Sequence, residues 1–234
     1  MAKRIYVESF DDDPGGWIGW DATGATRLEL RDGYAVSHSP WWVDFNHAPP
    51  GAGYLHILFA VHTRHEPGVE ERLLAVGGPN RFVKRQSPVD FTDAEITVRL
   101  KGAVKLRGAQ LVLLIQGDVP GTRANQVLTG QPLRITPDWS QQTLHLVPDP
   151  TQWRNMGSRH DRRQFYGTCD PAVLLRNVNC DIILVLFPLD VVPLGPIQGD
   201  PHELRAGVEY EVDPARLPEG HVLLDEVRIV FPHG

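Results

Sequence analysis

Residues 39–59, "SPWWVDFNHAPPGAGYLHILF", combine aromatic and polar side chains just before a Pro/Gly turn and an apolar strand. The ligand-binding candidates in this segment are Trp41, Trp42, Asp44, Asn46 and His47. An exposed indole offers a flat apolar surface for a sugar ring, and the three polar side chains can exchange hydrogen bonds with hydroxyl groups. Because adjacent residues of a strand point to opposite faces, one tryptophan can be buried while the other is exposed. The segment therefore predicts either the rim of a ligand site or a structural lid over one end of a core, and the residues alone leave both open.

A second segment, residues 154–170, is the most basic stretch of a chain whose formal net charge is −6. It contains four arginines together with aromatic side chains, and from it we take Arg162 and Tyr166 as ligand-binding candidates. Guanidinium groups bind carboxylates and sulfates through two parallel hydrogen bonds. The segment predicts either an anion-binding loop or a solvated loop whose arginines pair with nearby acids.

Three histidines, His56, His62 and His65, fall on or just after one strand-like stretch. His56 and His62 are expected to share a strand face, with His65 on the other face or in the following loop. A zinc site needs several converging ligands, and the chain has neither HExxH nor paired cysteines, so solvated or core-satisfied histidines are expected. The chain also lacks a GxSxG elbow and a GxxxxGK[ST] phosphate loop. No catalytic residue is therefore assigned, and whether the protein is an enzyme stays open.

Composition restricts the class of protein further. The 234 residues are 41% hydrophobic, enough for one large domain with a buried core, and no low-complexity linker interrupts residues 1–234. No run of lysine and arginine offers a stripe for phosphates, which argues against nucleic acid as a partner. No apolar stretch has the length of a membrane span or the form of a signal peptide, which predicts a soluble, cytoplasmic protein unless a leader has been removed. In that compartment Cys169 and Cys180 are expected to be reduced thiols.

Strand-like patterns recur along the chain and must position these side chains. They cover residues 4–10, 26–39 with a hairpin at 32–33, 54–64, 95–102, 109–118, 131–139, 141–149, 180–190 and 221–232. Ile96, Val98 and Leu100 alternate with period two, and the nearly continuous apolar run at 109–118 is typical of a central strand buried on both faces. Many short strands joined by turn residues predict an all-β protein, a two-sheet antiparallel sandwich of jelly-roll type.

Helical and loop signals are fewer. One short helix is expected near residues 170–178, where Asp170 can cap and Pro171 suits the first turn. At residues 67–78 periodicity does not decide between helix and strand. A long loop insertion is expected at about residues 190–220 of the single domain.

The order of motifs in the C-terminal part resembles a known group of folds. "DWSQQTLHLVPDPTQW" is followed by "DPAVLLRNVNCDIILVLFPL" and then by "VLLDEVRIVF", while the opening "ESFDDDPGGWIGW" is similar to the other end of the same pattern. This order resembles the galactose-binding-like jelly rolls, a group that includes many carbohydrate-binding modules and the laminin IV type A domains. The resemblance implies a carbohydrate or small polyol ligand. It also implies a structural Ca²⁺ that joins the first strand to the last through Asp11 and Asp225. Turn chemistry for Asp11 and a loop hydrogen bond for Asp225 are the alternatives.

The function predicted from these observations is non-catalytic binding of a carbohydrate or other polyol. Two alternatives stay open. One is a structural or assembly protein that acts through protein–protein contacts, including those of a homo-oligomer, because a loop as long as residues 191–220 usually has a role. The other is a hydrolase or lyase that acts on a saccharide.

Overall fold

The structure is a computed structural model that describes residues 4–21, 24–44, 53–64, 70–157, 166–200 and 204–232. In these ranges, two large antiparallel sheets pack against each other and three short helices lie around them. The predicted all-β, two-sheet sandwich of jelly-roll type is therefore confirmed.

The strands, in chain order, are β1 (Arg4–Glu8), β2 (Gly19–Asp21), β3 (Gly24–Thr26), β4 (Glu29–Arg31), β5 (Tyr34–His38), β6 (Val43–Asp44), β7 (Tyr54–His62), β8 (Glu95–Lys105), β9 (Gln110–Val119), β10 (Thr122–Leu128), β11 (Ser140–His145), β12 (Trp153–Asn155), β13 (Tyr166–Gly167), β14 (Asp181–Leu189) and β15 (Glu219–Phe231). The helices are α1 (Glu70–Gly77), α2 (Arg81–Lys84) and α3 (Pro171–Leu175).

Two strand orders define the sandwich. The first sheet has the order β11-β8-β15-β5-β4, with β1 also paired to β15. The second has the order β12-β10-β9-β14-β7-β6, with β13 paired to β10, and β2 and β3 form a separate hairpin. Strand β1 runs antiparallel to β15, with Arg4 opposite Phe231 and Glu8 opposite Val227. The first and last strands thus lie side by side, as the resemblance implied.

The core between the sheets follows the predicted periodicity. Ile96, Val98 and Leu100 of β8 are at most 2% exposed and belong to the main apolar cluster. Strand β9 is buried on both faces, since Leu113 belongs to that cluster and Leu114 to a second one. The second cluster also contains Ile18, just before β2, and Val76 of α1 packs against it. The β2–β3 region and α1 therefore help to cover the outward side of the second sheet.

Two strand predictions need correction. The strand predicted at residues 131–139 is wrong: apart from an isolated bridge between Leu133 and Leu111, this segment is irregular. It contains two prolines, which cannot donate to a ladder. Strand β10 was not predicted, because "TRANQVL" looks polar, yet Asn125 and Gln126 are fully buried within it. Tertiary pairing with β9 and β12 overrides the low apolar content there.

The helices confirm one prediction and settle one ambiguity. Asp170 caps α3 by accepting a hydrogen bond from the backbone N–H of Ala172 at 2.8 Å, and Pro171 opens the helix, which ends at Leu175. The undecided stretch at 67–78 is helical in α1. Helix α2 was not foreseen; its cap is Asn80.

The long connection predicted near residues 190–220 lies between β14 and β15 and contains a 3-10 turn, Pro214–Arg216. The extent of the domain and any homo-oligomer contact stay predictions. Cys169 and Cys180 are free thiols. No helix in the described ranges is both long and apolar enough to cross a membrane.

Candidate functional site

The outer face of the second sheet, meaning the face turned away from the first sheet, has an apolar floor with polar side chains at one end. Its floor includes Leu55, Ile57, Val112, Leu114, Ile183, Val185 and Phe187, all buried. In the alternation along β9, Gln116 follows Leu114 on this face, and Asp181 of β14 lies opposite Gln116 in the ladder. Asn125 of β10 lies opposite Gln116 on the other side. A polar row therefore crosses three neighbouring strands.

The first predicted segment reaches this face through Asp44. In the ladder between β6 and β7, Asp44 lies opposite Leu55, which places its side chain on the outer face, where it is only 2% exposed. The two tryptophans before it differ in burial, as the sequence predicted. Trp41 is buried and donates its indole N–H to Ser37 Oγ at 2.9 Å, which fits the lid interpretation, whereas Trp42 is half-buried.

Tyr166 brings the second predicted segment to the same face. Burial raises the pKa of its phenol above the ordinary value, and the carboxylates of Asp181 and Asp44 raise it further, whereas a hydrogen bond from Gln116 and the charge of Arg123 act in the opposite direction. The phenol is therefore neutral at physiological pH and lies within electrostatic reach of both carboxylates. Asp44 and Tyr166, predicted from distant segments, are brought together here.

The pair formed by His62 and Asp181 was not predicted. His62 Nδ1 lies 2.7 Å from Asp181 Oδ1, and both side chains are largely buried. The prediction that His56 and His62 share a face is wrong. His62 lies opposite Asp181 and His56 opposite Leu186, two residues on opposite faces of β14, because a register shift interrupts β7 between them.

His56 instead lies on the inner side, beside the first predicted segment. Its Nδ1–H donates to the carbonyl oxygen of Trp42 at 2.8 Å, and its ring lies 5.7 Å from that of Trp41. Burial lowers the pKa of His56 to about 4, so the imidazole is neutral at physiological pH. His56 therefore has a structural role, which agrees with the expectation of a core-satisfied histidine.

A cluster of charges borders the polar end of the face. Asp118 Oδ2 lies 2.6 Å from Arg64 Nη1, and its Oδ1 lies 3.0 Å from Arg123 Nε. Partial burial by itself would raise the pKa of Asp118, but the two guanidinium groups outweigh it and hold the pKa below the ordinary value. This carboxylate is thus committed to its arginines.

The basic segment 154–170 also contacts the apolar end of the outer face, through Arg154. The guanidinium carbon of Arg154 lies 5.4 Å from the ring centroid of Phe187, a cation–π contact on the outer face. Of the other candidates, Asn46, His47, Arg162 and His65 lie outside the described residues and stay predictions.

The predicted calcium site has chemically suitable but already engaged donors. Asp225 Oδ2 forms a close ion pair with Arg99 Nη1, and Asp11 Oδ2 accepts a hydrogen bond from Ser9 Oγ at 2.6 Å. In the described part of the chain, no three His, Cys, Asp or Glu side chains are grouped as metal ligands would be. Ca²⁺ requires six to eight oxygen ligands, and the contacts of Asp11 and Asp225 within the described residues do not assemble such a set, so calcium binding is a prediction that this structure does not support.

The opposite surface of the sandwich carries an aromatic patch that the sequence reasoning did not select. On the outward face of the first sheet, the ring of Trp139 lies 5.5 Å from that of Tyr34 in an edge-on arrangement. Arg99 and Lys101 lie over the indole at 4.8 and 4.6 Å from its centroid. The period-two pattern of β8 did place Arg99 and Lys101 outward, but only the fold brings Tyr34 to Trp139.

Comparison with known proteins finds remote structural similarity and no sequence match. No protein-family model matches the chain, and no curated protein sequence does. Solved structures that resemble it include one from a study of endo-acting O-glycanases of the human gut microbiota that initiate mucin breakdown (10% identity, covering 97% of this chain and 98% of that chain, TM-score 0.39). Others are the xylan-binding module CBM15 (10% identity, 99% and 98%, TM-score 0.32) and the module CtCBM11 (8% identity, 100% and 86%, TM-score 0.32). At these identities and TM-scores, the similarity carries no argument about either fold or function.

Proposed function

We propose that the protein binds a carbohydrate or another polyol on the outer face of its second sheet, as a non-catalytic module. The observation that carries the proposal is the convergence of Asp44 and Tyr166 on that face. Both were selected from the sequence as ligand-binding candidates, from segments far apart in the chain. If residues 39–59 only closed one end of the core, there would be no reason for a residue of the 154–170 segment to lie on the same polar face.

The chemistry of the face suits a sugar. A sugar ring presents C–H groups on its faces and hydroxyls at its edge, and a binding site for it combines an apolar surface with a few well-placed polar groups. The apolar side chains around Leu114 and Val185, which are buried in this structure, are of the first kind, and the polar row with Gln116 and Asp181 is of the second. Asp44 lies on the same face, opposite Leu55 near the other end of β7. Because these polar groups are buried, hydrogen bonds to them are strengthened by the low local dielectric.

The test is a glycan array followed by calorimetry on the full chain. We expect the wild type to bind at least one glycan, and Asp44→Asn and Tyr166→Phe each to weaken that binding by about tenfold, the value of one well-made hydrogen bond. Trp139→Ala, on the opposite sheet, is the matched control and should leave binding unchanged. Circular dichroism and Tm measurements verify that each variant is folded.

Silence of the wild type across neutral and acidic glycans would reject the proposed function. Loss of binding in Trp139→Ala alone would move the carbohydrate site to the aromatic patch of the first sheet and reject the outer face of the second.

A second candidate function is favoured by the titratable groups of the same face. His62 is bonded to Asp181, and Asp181 and Asp44 both act on the phenol of Tyr166. Paired acids, an imidazole and a phenol are the groups that general acid–base catalysis on a saccharide uses. If the protein is a hydrolase or lyase, incubation with the bound glycan should release shorter products, and His62→Gln should abolish that release while binding persists. An intact glycan after prolonged incubation with the wild type excludes this alternative for that glycan.

A further inference from the structure

Gln116 combines near-complete burial with an oxygen that has no hydrogen-bond partner among the described residues. Its side chain is 1% exposed, and in the described part of the chain no donor pairs with its Oε1. Its amide group is already engaged with Tyr166, and that hydrogen bond lowers the pKa of the phenol, as a donor to the phenol oxygen does. The lone pairs of Oε1 are therefore the unused hydrogen-bonding capacity of Gln116.

Location distinguishes this oxygen from other buried ones. Within the described ranges, Gln126 Oε1 and Thr92 Oγ1 also lack a partner, so an unpaired oxygen by itself assigns no role. Gln126 lies opposite Ile115 of the main core, and Thr92 lies in the turn before β8. Of these three residues, Gln116 is the one in the polar row of the candidate site, between Asp181 of β14 and Asn125 of β10 in the two ladders. Most buried polar atoms are paired, so an unpaired acceptor within a candidate site calls for an explanation, and a hydroxyl donor on a ligand supplies one.

We propose that Gln116 determines ligand specificity on the outer face of the second sheet, its Oε1 accepting a hydrogen bond from one free hydroxyl of the bound carbohydrate. This inference rests on the proposed function and adds the ligand's chemistry. The carboxylate of Asp181, opposite Gln116 in the ladder, is an acceptor as well, so this end of the face selects hydroxyl donors. A sugar whose hydroxyl at this point is methylated, acylated or absent leaves a buried acceptor unsatisfied and is rejected.

The experiment pairs a variant of Gln116 with a change in the ligand. A panel of xylohexaose, cellohexaose, laminarihexaose, galactose, N-acetylgalactosamine and a galacturonate trimer is titrated against the wild type by calorimetry. For the tightest binder, each monodeoxy analogue is then titrated against the wild type, Gln116→Met and Thr92→Val. Methionine keeps the approximate shape of glutamine without its acceptor, and Thr92→Val deletes another unpaired oxygen away from the site.

We expect one monodeoxy analogue to bind the wild type at least about tenfold more weakly than the parent glycan, while Gln116→Met binds parent and analogue equally. Such coupling reports a direct contact, because a merely structural role of Gln116 would weaken both ligands alike. Thr92→Val should retain the discrimination of the wild type.

The outcomes separate this inference from the proposed function. If the wild type binds a glycan and Gln116→Met discriminates against the same analogue as strongly, Gln116 is not the acceptor and the inference alone fails. If Gln116→Met does not fold, the titrations of the wild type provide the test. Equal affinity of the wild type for the parent glycan and for all its monodeoxy analogues would overturn the inference. Absence of binding both to this panel and on the glycan array would overturn the inference and the proposed function together.

Discussion

Lowering the pH from 7 to 5 is expected to destabilise the protein through His56, the residue that holds the backbone of the Trp41–Trp42 segment. The imidazole is 1% exposed, and its Nδ1–H is committed to the carbonyl oxygen of Trp42. Burial holds its pKa at about 4, below the ordinary 6.5. The unfolded chain therefore takes up a proton between these two values while the folded chain does not, and the free energy of unfolding falls as the pH falls.

The size of the effect follows from the two pKa values. Taking about 4 for the folded state and 6.5 for the unfolded chain, the step from pH 7 to pH 5 lowers the free energy of unfolding by about 2 kcal/mol. For a chain of 234 residues this corresponds to a decrease in Tm of roughly 4–8 °C. Most of the loss occurs above the range in which ordinary carboxylates titrate.

The matched variant is His56→Asn, whose amide can donate to Trp42 from nearly the position of Nδ1 but does not titrate. Urea unfolding at closely spaced pH values compares the two proteins, and the difference between their curves isolates His56 from the other histidines. Between pH 7 and pH 5, we expect the free energy of unfolding of His56→Asn to decrease by about 2 kcal/mol less than that of the wild type. Parallel curves for the two proteins between pH 7 and pH 5 would refute the inference that a neutral imidazole is buried here.

Three further changes probe the scaffold. The side chain of Glu8 is 1% exposed, and its carboxylate lies 2.5 Å from the guanidinium of Arg81. Arg81→Met leaves this buried carboxylate unpaired with Arg81 and should lower the free energy of unfolding in urea by about 3–5 kcal/mol. Adding Glu8→Gln should restore most of this stability, and no recovery would contradict the ion-pair argument. The ring of Phe82 is fully buried and stacks on that of Phe91, with 6.2 Å between the ring centroids. Phe82→Ala leaves a cavity there and should lower the free energy of unfolding by about 3–5 kcal/mol in the same measurement, and a decrease below about 1 kcal/mol would contradict the packing. Asp170→Ala removes the cap of α3 and should cost about 1 kcal/mol, whereas Asp170→Asn should cost little; equal losses would show that the cap is not what stabilises the helix.

The candidate site was only partly predictable. Asp44 could be selected because an acid beside tryptophans suits polyol recognition, and Tyr166 could be selected because it lies in the arginine-rich segment at 154–170. Gln116 and Asp181 carried a weaker signal, a single polar residue at the end of a long apolar strand. That signal marks a strand end as readily as a site, and strand pairing was needed to place the two opposite each other.

Local chemistry determined much of the architecture from the sequence alone. The alternation of Ile96, Val98 and Leu100, the apolar run of β9 and the Asp–Pro start of α3 act over a few residues, so they can be recognised without partners. The tertiary structure decided what depends on distant segments. A polar strand such as β10 is stable only because two neighbours satisfy its backbone, and one register shift in β7 sends His56 and His62 to opposite faces. Neither strand pairing nor a bulge can be recognised from the hydrophobic pattern of a single segment, because each is set by contacts between residues far apart in the chain.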